Sequence, residues 1–291
     1  MVVEPIKIEE YKSEITPTWC PGCGDFAVLR GIHTALARLK IKSENVVISS
    51  GIGCSSNLPG FVNAYGFHGL HGRSLPIANG IKLANTDLTV IATGGDGDGY
   101  GIGLGHFIHS MRRNIDITYI VMNNQIYGLT TGQASPTSER GMLTKSTPSG
   151  LLEVPVNPIA LALISGATYV SRGFSGNADH LSSTIENALS HKGFSLVDVL
   201  SPCVTYNKIQ TYQWFRDRVY TLEDEEHDTN DLKQAISKSY EWESKIPIGV
   251  FYKADKPTYD GDEPALQDGP LVNQPLDTGK NIAKQLLDEF T

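Results

Sequence analysis

The sequence predicts an α/β fold in which a parallel, twisted sheet carries helices on both faces. Short apolar, β-branched runs at 46–48, 88–92 and 117–122 end in glycine or polar residues, which is typical of buried strands. Apolar residues at helical spacing alternate with these runs, at 25–39 and in a Gly-rich segment that continues to Met111. Strands that alternate with helices indicate a parallel sheet covered on both sides.

The second half of the chain continues this alternation up to about residue 205. Helical spacing predicts helices at 159–164 and 180–189, and apolar runs predict strands at 169–170 and 196–200. In such folds the loops at the carboxyl ends of the strands bind the ligand. Functional residues are therefore expected directly after the predicted strands.

The pattern changes in the last third of the chain. An acidic run lies at 223–226, and Pro and Asp are frequent at 246–276. We predict an extended C-terminal tail with a short terminal helix at 281–290. The sequence thus divides into an α/β domain with the ligand sites at 1–205 and a C-terminal extension at 206–291.

Composition excludes several classes of partner. The 291 residues are 40% hydrophobic and 19% charged, and the formal net charge of −8 argues against nucleic acid, which binds basic patches. The first residues are polar and acidic rather than signal-like, and no apolar run approaches the roughly 20 residues of a membrane helix. We expect a cytoplasmic protein that binds neither nucleic acid nor membrane, and whose four cysteines do not form disulfides.

A glycine-rich loop and an asparagine pair follow two successive predicted strands. The Gly-Asp-Gly sequence 95–97 opens a helix, where glycines and converging N–H groups admit a diphosphate. The pair 123–124 follows the next strand. Asp96, the amide oxygen of Asn124 and the carbonyl of Ile126 would supply the oxygen ligands that Mg²⁺ prefers.

Two other interpretations of this loop are open. Gly-Asp-Gly alone often marks a plain turn. A dinucleotide-binding Gly-x-Gly-x-x-Gly pattern can be forced onto 97–101, but its spacing fails, and the crowded acidic residues suit a metal better than a bare pyrophosphate.

The four cysteines are one close pair, Cys20 and Cys23, and two distant single residues, Cys54 and Cys203. Four thiolates suit either Zn²⁺ or a 4Fe–4S cluster, and a Cys-x-x-Cys pair alone can be a redox pair. A zinc site usually has a second close pair. Single cysteines at strand ends favour the cluster, with zinc and unligated or redox-active thiols as alternatives.

Together these motifs resemble the beta subunit of the archaeal and bacterial 2-oxoacid:ferredoxin oxidoreductases. The similarity covers about residues 15–215 and rests on five segments, 19–24, 51–56, 68–73, 94–103 and 123–130. It implies a thiamine-diphosphate-binding fold. It also implies that Cys20, Cys23, Cys54 and Cys203 bind one 4Fe–4S cluster.

The resemblance further implies which residues hold thiamine diphosphate and its Mg²⁺. Asp96, Asn124 and the carbonyl of Ile126 would bind the metal. The residues expected beside the cofactor are Gly53, Cys54, Ser55, Gly95, Asp96, Gly97, Asp98, Asn124, Ile126, Tyr127, Gly128, Leu129 and Thr130.

His68, His71 and Arg73 lie together in a Gly-rich loop. A structural or solvated role is open for them. The resemblance favours catalytic residues that face the cofactor or the substrate carboxylate, which Arg can bind in a bidentate manner. Many relatives carry Lys where Thr131 stands, and this difference slightly favours 2-oxoglutarate over pyruvate as the substrate.

The implied activity is the coenzyme A-dependent oxidative decarboxylation of a 2-oxoacid, with electrons passing through the cluster to ferredoxin. The residues account for only one half of a thiamine site, so the resemblance implies an alpha subunit, in an alpha–beta heterodimer or its dimer. A non-redox thiamine-diphosphate decarboxylase subunit and a zinc-stabilised interaction subunit are the alternatives.

Overall fold

The computed structural model describes residues 6–275 and 279–290. Within these ranges one twisted sheet holds eight strands in the order β2-β1-β3-β4-β6-β5-β8-β7. The strands are β1 (Val46–Ser50), β2 (Tyr65–His68), β3 (Thr89–Gly95), β4 (Thr118–Asn123), β5 (Tyr169–Phe174), β6 (Ser195–Leu200), β7 (Val219–Thr221) and β8 (Ile246–Lys253). The first six are parallel, which confirms the predicted fold class.

Helices cover both faces of the sheet. They are α1 (Asp25–Leu39), α2 (Ser74–Ala84), α3 (Leu104–Arg113), α4 (Pro158–Ile164), α5 (Ala178–Ser190), α6 (Tyr212–Arg216), α7 (Leu232–Ser239), α8 (Tyr259–Asp262) and α9 (Gly279–Asp288). Helices α1 and α5 pack on one face, and α2, α3, α4 and α7 on the other. None of the helices in the described ranges is long and apolar enough to cross a bilayer.

Strand β4 illustrates why the central strands appear in the sequence as continuous apolar runs. Its Ile120 and Met122 face the core beneath α1 and α5, whereas Tyr119 and Val121 face the opposite core. All four side chains are buried. In a strand that is buried on both faces, polar and apolar residues do not alternate, as expected for a parallel sheet.

The strand order places the predicted functional residues at one edge. Strands β1, β3, β4 and β6 are neighbours and point the same way. Cys54, Asp96, Asn124 and Cys203 therefore all follow the carboxyl ends of these four strands, although they are far apart in sequence.

The extended tail predicted beyond residue 205 is wrong for much of its length. Strand β8 pairs antiparallel with β5 and extends the sheet, and β7 pairs parallel with β8. Pro247 and Gly249 interrupt β8, and because both residue types are depleted in strands, the sequence did not predict it. The predicted terminal helix is present as α9, shifted by two residues.

Deleting residues 206–291 should prevent stable folding, since it bares the edge of β5 and removes the buried Ile246, Ile248 and Phe251. Each such side chain contributes about 2 kcal/mol of burial, against a total stability of about 5–15 kcal/mol. Circular dichroism during heating checks this. Deletion of 279–291 alone is the control and should leave the melting temperature within a few degrees of wild type. Cooperative melting of the 1–205 fragment would contradict the prediction.

Candidate thiamine-diphosphate and thiol site

A cavity of about 560 Å³ opens at the carboxyl ends of β1, β3 and β4. Every residue predicted to lie beside the cofactor lines it, and so does His71. Three further lining residues, Ile52, Gln133 and Ala134, were not predicted from the sequence. The motifs thus come together around one space, and the ligand that they bind there stays a prediction.

Asp96 lies on the cavity wall, at the end of β3, and is almost fully buried. Its Oδ2 accepts hydrogen bonds from the hydroxyls of Ser135, at 2.5 Å, and Thr137, at 2.6 Å. Burial raises the pKa of Asp96 to about 6, and the two hydroxyl donors partly offset that rise. The chain thus holds one carboxylate in a fixed orientation at the cavity.

Ser135 and Thr137 were not predicted as site residues, because the segment around them was interpreted only as a long polar loop. A buried carboxylate needs hydrogen-bond donors. Nothing in the sequence shows that these hydroxyls reach back to Asp96, since the pairing depends on how the loop packs.

Replacing Thr137 by Val should destabilise the protein by about 1–3 kcal/mol, because Asp96 would lose one of its two hydroxyl donors in a buried place. Urea unfolding measures the change. The exposed Thr16 provides the control, and Thr16→Val should alter the free energy of unfolding by less than about 0.5 kcal/mol. Equal stabilities of the two variants would count against this role of Thr137.

Asn124 follows β4 and also lines the cavity. Its side-chain oxygen accepts the N–H of Ile126 at 3.1 Å, and its carbonyl accepts a hydrogen bond from Asn207 at 3.1 Å. The next residue, Gln125, has a φ of +57° and turns the chain sharply here. These contacts fix Asn124 and Ile126 at the wall that Asp96 shares.

Asp98 holds together the loops around the cavity. Its Oδ1 accepts the N–H groups of Ile52 and Gly72, both at 2.8 Å, and lies 3.0 Å from Nδ1 of His71. A Cβ at Gly51 would lie 2.1 Å from the Asp98 carboxylate, so only glycine fits there. Burial raises the pKa of Asp98, and these hydrogen bonds oppose the rise.

The three predicted catalytic residues separate in the structure. Only His71 lines the cavity. His68 ends β2 and lines a different pocket, with Thr18 and Phe61, and Arg73 lies outside both pockets. A catalytic role for the three residues stays a prediction.

Two further features give the cavity its shape. The ring of Tyr127 covers Gly97, where a Cβ would lie 2.1 Å from a ring carbon, and the Tyr127 hydroxyl donates to the Gly97 carbonyl at 3.2 Å. The buried hydroxyl of Ser55 has no hydrogen-bond partner in the described chain and lies beside Gly95. Such an unpaired group at a cavity wall is typical of a site that binds a polar ligand.

The cysteines come together next to this cavity. A Cβ at Gly128 would lie 3.6 Å from Sγ of both Cys54 and Cys203, so these two sulfurs are no more than twice that distance apart. Burial raises the pKa of the Cys23 thiol, and the neighbouring Cys203 and Cys54 add to the rise. Burial also raises the pKa of Cys54 to about 11, and Cys203 and Cys20 contribute. The Cys23 N–H donates to the Cys20 carbonyl at 2.9 Å, and the Gly24 N–H donates to the Pro202 carbonyl at 3.4 Å, so the loop of this pair lies beside the loop of Cys203.

Local contacts fix the three loops that carry these thiols. The indole N–H of Trp19 donates to the Cys54 carbonyl at 2.6 Å. The Ser201 hydroxyl donates to the buried Asp25 at 2.8 Å, which joins the end of β6 to the start of α1. Over residues 6–275 and 279–290, no group of three His, Cys, Asp or Glu side chains is arranged to hold a metal ion.

Two family models match the chain. Residues 51–199 match the thiamine pyrophosphate enzyme, C-terminal TPP binding domain. Residues 203–268 match the C-terminal region of the pyruvate ferredoxin oxidoreductase beta subunit. The first match spans the cavity and β2 to β6, and supports a thiamine diphosphate site.

Named relatives agree with these matches. The chain is 48% identical to 2-oxoacid:ferredoxin oxidoreductase 1, subunit beta, of Aeropyrum pernix, over 84% of this chain and 80% of that one. It is 47% identical to 2-oxoglutarate oxidoreductase subunit KorB of Mycobacterium tuberculosis, over 70% and 55% of the two chains.

A solved structure also matches. A 2-oxoglutarate:ferredoxin oxidoreductase from Magnetococcus marinus, with 2-oxoglutarate, coenzyme A and succinyl-CoA bound, superposes with a TM-score of 0.92 at 42% identity, over 98% of this chain and 97% of that one. The fold, the cavity and these relatives agree, and the chain belongs to the beta-subunit family of the 2-oxoacid:ferredoxin oxidoreductases.

Proposed function

We propose that this subunit takes part in the coenzyme A-dependent oxidative decarboxylation of a 2-oxoacid, with ferredoxin as the electron acceptor. One observation carries the proposal. The cavity that holds the buried Asp96 carboxylate and the loops that hold the four cysteines lie at the same end of the sheet. Of the 2-oxoacids we favour 2-oxoglutarate, because the Mycobacterium tuberculosis and Magnetococcus marinus relatives are named for it.

The cavity suits thiamine diphosphate bound through Mg²⁺. Asp96, Asn124 and the carbonyl of Ile126 would hold the metal, since Mg²⁺ prefers oxygen ligands of this kind. The unpaired Ser55 hydroxyl lies beside Gly95 and offers a donor to a phosphate oxygen. When bound, the cofactor supplies the nucleophile and the electron sink for decarboxylation.

The chain's own part in that chemistry is to bind and orient. Ser135 and Thr137 hold the Asp96 carboxylate at the cavity wall. Asp98 holds the loops around the cavity through its two backbone donors. The oxygen atoms proposed as ligands are thus fixed before any ligand binds, so little ordering is needed on binding.

His71 is the histidine at the cavity wall, and 37% of its side-chain area is exposed. Its Nδ1 faces Asp98, which orients the ring and leaves the other ring nitrogen available. We propose that His71 contacts the substrate or the cofactor.

The four cysteines suit a 4Fe–4S cluster better than a single ion. Each iron of a cluster takes one thiolate, so the sulfurs surround a larger volume than they do around one zinc ion. Hydrogen bonds hold the loops of the four cysteines together, from the Gly24 N–H to the Pro202 carbonyl and from the Trp19 indole to the Cys54 carbonyl. We propose Cys20, Cys23, Cys54 and Cys203 as the cluster ligands, and the cluster as the route to ferredoxin.

An alpha subunit would complete the site. Ile52 and Leu129 line the cavity but are 37% and 55% exposed, and the nearby Leu70 and Ile102 are more exposed still. Exposed apolar side chains clustered at the mouth of a cavity favour cover by another protein. We propose an alpha–beta heterodimer or its dimer.

A turnover assay of the purified alpha–beta complex tests the function. The complex is supplied with 2-oxoglutarate or pyruvate, coenzyme A and ferredoxin, and the products are the acyl-CoA and reduced ferredoxin. We expect both products, and faster turnover with 2-oxoglutarate. Release of CO₂ without ferredoxin reduction would instead indicate a non-redox decarboxylase, and zinc without iron would indicate a zinc-stabilised subunit.

A further inference from the structure

Gly128 lies at the cavity wall, next to two of the four thiols. It lines the cavity, and the Cβ it lacks would contact Sγ of Cys54 and of Cys203 at 3.6 Å each. Hydrogen bonds fix its turn, because the N–H of Thr131 donates to the Gly128 carbonyl at 3.0 Å and that of Gly132 to the Tyr127 carbonyl at 2.9 Å. At this point the backbone lies between the cavity and Cys203, while Cys54 itself reaches the cavity wall.

The protein itself does not require glycine at position 128. Its φ lies outside the left-handed region, so an L-residue can adopt its backbone conformation. A methyl group there would make only ordinary van der Waals contacts, at 3.6 Å to the two sulfurs and 4.0 Å to the Asn124 amide nitrogen. Gly97 differs, because there a Cβ would collide with Tyr127. The space beside Gly128 is therefore available to a group held by the thiols.

We propose that Gly128 is a positioning residue whose missing side chain lets a thiol-bound cluster lie against the cavity wall, close to the bound cofactor. This inference rests on the proposed function. A methyl group at position 128 would cover the cluster side of the wall and increase the separation of the two centres. It would also exclude solvent from two ligand sulfurs, and solvent exposure is one determinant of a cluster's reduction potential.

The test compares the alpha–beta complex carrying Gly128→Ala with wild type and with the control Gly80→Ala. Gly80 lies in α2, and a Cβ there would have no atom within 4 Å. Iron and thiamine diphosphate contents are measured first. A redox titration then gives the midpoint potential of the cluster, and stopped-flow absorbance gives the rate of its reduction after 2-oxoglutarate and coenzyme A are added.

For Gly128→Ala we expect full thiamine diphosphate content, a more negative midpoint potential and cluster reduction slowed several-fold. Loss of iron with the cofactor retained would also support the proposal, because the methyl group would then occupy the cluster's space. A rate and a potential equal to those of wild type would overturn it, as would loss of the cofactor. Wild-type complex without iron, or without substrate-driven reduction, would instead refute the proposed function.

Discussion

Asp96→Asn should lower both turnover and the affinity for thiamine diphosphate by at least about 100-fold, because the cavity would lose the carboxylate that we propose as a ligand of Mg²⁺. The other carboxylate, Asp98, is already held by two backbone N–H groups and by His71. Asn keeps the shape of Asp and can still accept from the Ser135 and Thr137 hydroxyls, so the fold should persist. Calorimetric titration of the complex with the cofactor at several Mg²⁺ concentrations measures the loss.

Asp87→Asn is the matched control for this variant. Asp87 is exposed and lies outside the cavity, so unlike Asp96 it is not placed to bind Mg²⁺ or the cofactor. Its replacement should leave cofactor affinity unchanged. Undiminished, Mg²⁺-dependent binding by Asp96→Asn would show that this carboxylate is not a metal ligand.

In the complex that carries Cys203→Ser, ferredoxin reduction should be lost and most of the iron should be absent. Serine is a far poorer ligand for iron in such clusters than a thiolate, and Cys203 and Cys54 both lie next to Gly128. The broad absorbance at about 400 nm that dithionite bleaches should fall with the iron content. Thiamine diphosphate binding should remain, because the oxygen ligands proposed for Mg²⁺ are untouched.

The control for Cys203→Ser is Ser146→Ala, a change of similar size at an exposed position. It should keep the iron content and the absorbance of wild type. Wild-type iron content and ferredoxin reduction in Cys203→Ser would remove Cys203 from the ligand set.

The parts of the site that could be predicted from the sequence are local in the chain. The glycine-rich loop around Asp96 and the pair ending in Asn124 each follow a strand of the central sheet. A parallel sheet brings successive strand ends to one edge. The motifs and the predicted fold class together therefore predicted that these residues lie in one cavity. The same reasoning located Cys54 and Cys203.

The features that could not be predicted depend on tertiary packing. The hydroxyls of Ser135 and Thr137 reach Asp96 only because their loop folds over the cavity. Strand β8 is stabilised by its pairing with β5, although it contains a proline and a glycine. His68 and His71 are three residues apart in one motif, yet they line different pockets.

If the subunit holds the proposed 4Fe–4S cluster next to its thiamine diphosphate site, electrons should pass between the two within a single turnover. Rapid mixing of the anaerobic alpha–beta complex with 2-oxoglutarate and coenzyme A, followed by electron paramagnetic resonance, measures this transfer. We predict the signal of a reduced 4Fe–4S cluster within one turnover, and no signal when the cofactor is omitted. A complex that decarboxylates the substrate but contains no iron, or whose cluster stays oxidised, would contradict this assignment.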